Sequence, residues 1–87
     1  MDITTIQRAI DEHAAISGPV TFTVGAREGG GFSLVATYEE SLMLDDEPWT
    51  EFGGDLILAD IGVDRCDGGM DAADQYGDIQ QWVIIRA

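Results

Sequence analysis

Ile3, Ile6, Ile10, His13 and Ala14 recur at steps of three and four residues, the spacing of one face of a helix with 3.6 residues per turn. The pattern predicts a helix over residues 3–16, with Asp2 or Thr4 at its cap and Ser17-Gly18-Pro19 as its stop. Asp11 and Glu12 fall near the negative end of the helix dipole, so they are expected to be solvated. Val20-Thr21-Phe22-Thr23-Val24 then alternates with a period of two, the mark of a strand with one buried face. Residues 25–31 hold three consecutive glycines, and Phe32 to Tyr38 reads as a second strand, so the two form a hairpin with a long tip.

Periodicity weakens over residues 39–54. Leu42-Met43-Leu44 is a short apolar run with strand character. Asp45-Asp46-Glu47-Pro48 resembles a cap followed by proline, and it predicts one helical turn through Trp49 and Phe52, stopped by Gly53-Gly54. The apolar run over residues 55–63 predicts a strand. Residues 64–78 read as a Gly- and Asp-rich connection with one turn around Met70–Tyr76, and Gln81 to Ile85 reads as a closing strand. There is no internal repeat and no linker. The expected architecture is a single α+β domain over residues 1–87, an N-terminal helix packed on an antiparallel sheet of about four or five strands.

Charge changes this picture from a generic small domain to one with a polarity. The chain has no lysine, and four arginines face seventeen carboxylates, for a formal net charge of −13. Residues 39–78 carry thirteen of those carboxylates against Arg65 alone. With 45% apolar residues the chain can still bury a core, so acidity does not imply disorder. Direct nucleic-acid binding is disfavoured because phosphate contacts need Lys and Arg, and anionic lipid should repel the surface. No apolar run approaches the ~18 residues that span a bilayer. The first residues lack a basic region and an apolar core, so no secretion signal is expected. A single Cys66 allows no intrachain disulfide and fits a reducing compartment, so a cytoplasmic location is expected, the host cytoplasm if the chain is phage-encoded.

Candidate chemistry is sparse. Asp60, Asp64, Asp67, Asp71, Asp74 and Asp78 fall at alternating steps of four and three, which would align them on one helix stripe. Gly62, Gly68, Gly69 and Gly77 interrupt that stretch, each weakening a helix by about 1 kcal/mol relative to Ala, so a solvated acidic loop is expected instead. The same spacing fails the helix–loop–helix calcium pattern, and no cofactor or metal is assigned. His13 reads as a packed helix residue, Cys66 has no histidine partner in the sequence pattern, and Gly29-Gly30-Gly31 precedes a strand rather than a helix, so no catalytic residues are expected. Trp49, Phe52, Tyr76 and Met70 are either core beneath charged loops or partner contacts. Trp49, flanked by Glu47, Pro48 and Glu51, is the expected exposed anchor.

These readings converge on a non-enzymatic inhibitor whose carboxylates occupy a basic, nucleic-acid-binding protein surface. The expected contact residues are Asp45, Asp46, Glu47, Trp49, Glu51, Asp64, Asp67, Asp71 and Asp74. In size, acidity and lack of catalytic groups the chain resembles small phage-encoded inhibitors of the anti-CRISPR and DNA-mimic type, a resemblance of composition that no motif carries. It implies a nucleic-acid-binding effector complex of host defence as the partner. An immunity or antitoxin protein against a nuclease toxin rests on the same physics. A halophile protein with a salt-adapted surface is the third reading, and it predicts charge spread over every exposed element.

Overall fold

The computed structural model describes residues 1–44, 47–63 and 67–86. Helix α1 (Ile3–Glu12) starts where Asp2 accepts a hydrogen bond from the Thr5 backbone N–H at 3.0 Å, and it buries Ile6, Ala9 and Ile10. The helix expected over residues 3–16 is divided at His13, and α2 (Ala14–Ser17) follows as a separate turn. His13 has left helical geometry, and its Nε2 lies 2.5 Å from Asp60 Oδ2 on a distant helix. A tertiary contact thus fixes the break that local periodicity does not register.

Strands β1 (Thr21–Ala26) and β2 (Phe32–Glu39) form the expected antiparallel hairpin, with Val24 opposite Leu34 and Phe22 opposite Ala36. A 3-10 helix (Glu40–Leu44) occupies the run that the sequence reads as strand-like. Helix α3 (Pro48–Glu51) follows, with proline in its first turn as expected.

The strand expected over residues 55–63 is instead helix α4 (Gly54–Asp60). Its buried residues, Gly54, Ile57 and Leu58, follow helical spacing, while Leu56 points to solvent, so an apolar run that suits a strand also suits a short buried helix. Gly54 makes this packing possible. A Cβ there would lie 2.5 Å from Trp49 Cε2, so the first turn of α4 closes directly over the indole.

Strand β3 (Gly68–Met70), unforeseen in the acidic connection, pairs with β4 (Asp78–Ile85), which begins earlier than expected. The sheet order is β1-β2-β4-β3, all antiparallel. The domain is therefore α+β, with the N-terminal helix on a four-stranded sheet. One face of that sheet supplies Phe22, Leu34, Ala36, Tyr38, Ile79, Val83 and Ile85 to a single core with Ile6, Ile10, Trp49, Ile57 and Leu58 from the helices. Among the described residues, no helix is long and apolar enough to cross a membrane.

Candidate functional site

Strand alternation sends Tyr38 and Ile79 inward, so their neighbours Glu39 and Asp78 project from the opposite face. These two stand directly across from each other in the β2–β4 register. Like charges directly opposite on a sheet are destabilising. More carboxylates gather around them. The Glu40 backbone N–H donates to Gly77 O at 2.9 Å, which ties the start of the 3-10 helix to the turn before β4. Asp71 N–H donates to Gln80 O and Asp74 N–H to Asp78 O, each at 2.9 Å, so the segment between β3 and β4 runs beside the same strand end. Glu47 acts on the inward face instead, where its carboxylate adds to the upward push that burial gives the Tyr38 phenol from its ordinary value of 10.0.

Asp74 builds the turn that presents this cluster. Its Oδ1 accepts from the Tyr76 N–H at 2.8 Å and from the Asp78 N–H at 3.1 Å, replacing part of a backbone turn with a side chain. Tyr76 is held at the tip with 78% of its surface exposed. Leu44, 83% exposed, lies about 8 Å from Glu40 along the 3-10 helix at ~2 Å per residue. The exposed Tyr76 thus shares its turn with Asp74 and Asp78. Among the described residues, no group of three or more His, Cys, Asp or Glu converges to hold a metal ion.

Among the described residues the arginines sit elsewhere. Arg27 Nη1 donates to Ser33 Oγ at 3.3 Å, and Arg86 donates through Nε (3.1 Å) and Nη2 (2.6 Å) to Asp67 Oδ2. Both arginines line a cleft with Glu28, Gly29, Gly30, Gly31 and Ile84 at the hairpin end of the sheet. Ser33 and Glu39 are roughly 20 Å apart along β2 at ~3.3 Å per residue. The sheet therefore has an arginine end and a carboxylate end. Arg8 lies on α1, in a groove with Glu12 and Asp60.

The nine residues expected to contact a partner are dispersed by this geometry. Asp71 and Asp74 lie at the carboxylate end, while Glu47 precedes α3 and acts on the inward-facing Tyr38. Asp67 lies at the arginine end, and Glu51 is exposed on α3 in the helical layer. Asp45, Asp46 and Asp64 lie outside the described residues. The expected exposure of Trp49 is overturned. Its side chain is 0% exposed, stacks edge-on against Phe22 with ring centroids 5.5 Å apart, and donates its indole N–H to Asp55 Oδ1 at 3.0 Å. The acidic neighbours that suggested a surface turn are there, but the indole itself fills the space between α4 and β1.

Glu39, Glu40 and Asp78 were missed as site residues because only the β2–β4 pairing, between strands distant in sequence, brings them together. The aspartate steps from 60 to 78 form no stripe. Asp60 ends α4, Asp67 precedes β3, Asp71 and Asp74 lie in the connection, and Asp78 opens β4. No protein-family model, curated protein or solved structure matches the chain, so geometry carries the functional argument.

Proposed function

We propose that the chain is a non-enzymatic binding protein that inhibits a basic, nucleic-acid-binding protein by covering its phosphate-binding surface. The observation that supports this is the carboxylate end of the sheet. Glu39 and Asp78 are held opposite each other, Glu40 and Asp74 are tied to the same turn, and Tyr76 is exposed on it. Juxtaposed like charges weaken a small fold, and a partner bearing Arg and Lys would relieve that repulsion on binding. Several carboxylates a few ångströms apart also offer the spacing of a phosphate backbone without a nucleic acid. The exposed Tyr76 and Leu44 supply the apolar contact that charge alone lacks.

The test begins with capture of the partner from host lysate by the wild-type chain, followed by titration of that partner in purified form. Affinity should fall at least tenfold between about 50 and 300 mM salt, and duplex DNA should compete. The triple variant Glu39→Gln, Glu40→Gln, Asp78→Asn should weaken binding by a similar factor, and Tyr76→Ala by about tenfold. Binding indifferent to salt, to DNA and to the triple variant would show that the acidic end is not the contact.

A further inference from the structure

The helices cover one face of the sheet, and no described element covers the other. Across that open face runs the row Thr23, Val35, Trp82 and Gly69, one residue from each strand in register. Trp82 is half-buried although nothing packs over it, and Gly69 accounts for this. A Cβ at position 69 would lie 2.6 Å from Trp82 Cζ2 and 3.1 Å from Cε2, so the six-membered ring occupies the space of the missing side chain. The indole therefore lies down over edge strand β3. Among the described residues the ring pair is Phe22 with Trp49, and Trp82 belongs to no such pair.

The surroundings of this ring select the chemistry of an occupant. A shallow cleft of about 290 Å³ runs along the edge strand, with Trp82 on the open face and Met70, opposite Gln81, on the other. Asp67 lies opposite Ile84, whose N–H donates to Asp67 O at 2.9 Å, and its carboxylate receives the forked Arg86 guanidinium. A guanidinium thus already rests at the rim of the open face. A charge of −13 on each copy opposes covering of this face by a second copy of the chain.

We infer that Trp82 is a stacking platform for an arginine or lysine side chain of the basic partner. This rests on the reading above and adds a second contact, on the open face rather than at the carboxylate end. A cation over an indole face is attracted by the ring quadrupole, and the surrounding negative field strengthens the preference for a cation over an apolar group.

The probe is a hexa-arginine peptide, titrated into the ¹⁵N-labelled full chain at about 150 mM salt. The Trp82 indole N–H signal should shift along the binding isotherm while that of buried Trp49 stays fixed. Trp82→Leu, which keeps the apolar area and removes the quadrupole, should weaken binding about threefold to tenfold, and Trp82→Phe should recover part of the loss. Circular dichroism confirms that each variant is folded. If Trp82→Leu binds as tightly as wild type while Glu39→Gln, Asp78→Asn binds weakly, the platform is wrong and the carboxylate-end reading stands. The reverse pattern leaves the platform and removes the carboxylate end. Absence of hexa-arginine binding by the wild type overturns both. A dimer seen by sedimentation without peptide, and abolished by Trp82→Leu, would make a second copy the occupant and overturn the inference.

Discussion

Replacing Trp49 by alanine separates a core residue from a partner anchor. The indole is 0% exposed, sits edge-on to Phe22, underlies Gly54 and donates to Asp55 at 3.0 Å. Truncating such a residue removes about 3–5 kcal/mol, from lost apolar burial and the cavity left behind. A chain of 87 residues has a total stability of roughly 4–13 kcal/mol at ~0.05–0.15 kcal/mol per residue, so Trp49→Ala takes a large share of it. With a urea slope of about 1.5 kcal/mol per molar, the unfolding midpoint should fall by roughly 2–3 M. An anchor on an exposed turn would give the opposite result, a stable variant with weakened binding.

Subtler variants test the geometry itself. Asp55 accepts the indole N–H through Oδ1 and the Thr50 hydroxyl through Oδ2, both at 3.0 Å. Asp55→Ala leaves the buried indole donor without its acceptor and should remove about 1–3 kcal/mol. Trp49→Phe removes the donor and part of the ring, at a cost of about 1–2 kcal/mol. Because the two substitutions delete the same hydrogen bond, the double variant should be less damaged than their sum by ~1 kcal/mol. The assay is urea unfolding followed by far-UV circular dichroism. Two results would refute the reasoning: a Trp49→Ala midpoint within about 0.5 M of wild type, or strict additivity in the double variant.

Glu39→Gln should stabilise the fold by about 0.2–1 kcal/mol, seen as a rise in melting temperature that shrinks as salt is added. Gly69→Ala places a methyl group where the Trp82 ring lies, so the ring should tilt outward and acrylamide should quench its fluorescence more readily, with less than about 2 kcal/mol of stability lost. Hydrogen bonds from Thr5 hold the Asp2 carboxyl below its ordinary 3.8, so its contribution is present above that pH and lost as the pH falls through the depressed value. Asp2→Ala should therefore flatten this part of an acid-unfolding curve. Burial and Glu47 raise the Tyr38 phenol, whose O–H donates to Gln81 Oε1 at 2.8 Å, so its stabilisation is intact below 10.0 and lost as the pH rises through the raised value. Alkaline unfolding of Tyr38→Phe should lack that step.

Local signals were readable where the chain decides structure locally. The Val20–Val24 alternation, the glycine-rich tip and the Phe32–Tyr38 run gave the hairpin, and Asp2 gave the first cap, because each depends on neighbours within a few residues. Residues 55–63 read as a strand because an apolar run fits a buried strand and a buried helix equally, and the contact that decides for a helix over Gly54–Asp60 is Gly54 against Trp49. Strand β3 left no pattern because two of its residues are glycine and have no side chain to alternate. Trp82 was visible only as a member of the last strand. Its place on the open face follows from the alternation of Ile79, Val83 and Ile85 inward, and its posture from a glycine on another strand.

The acidic half of the chain also divides by use. Asp55 satisfies an indole and a hydroxyl, Asp60 meets His13, Asp67 holds Arg86, and Asp74 shapes the turn at Tyr76. These carboxylates have structural work that a lower charge count would leave undone, so their number alone says little about a partner. Glu39 and Asp78 differ, because the register sets them opposite each other, a placement of like charges that generally costs a sheet stability. An evenly salt-adapted surface would place charges to minimise such encounters. The informative quantity is thus not the net of −13 but the two carboxylates that the sheet register holds face to face.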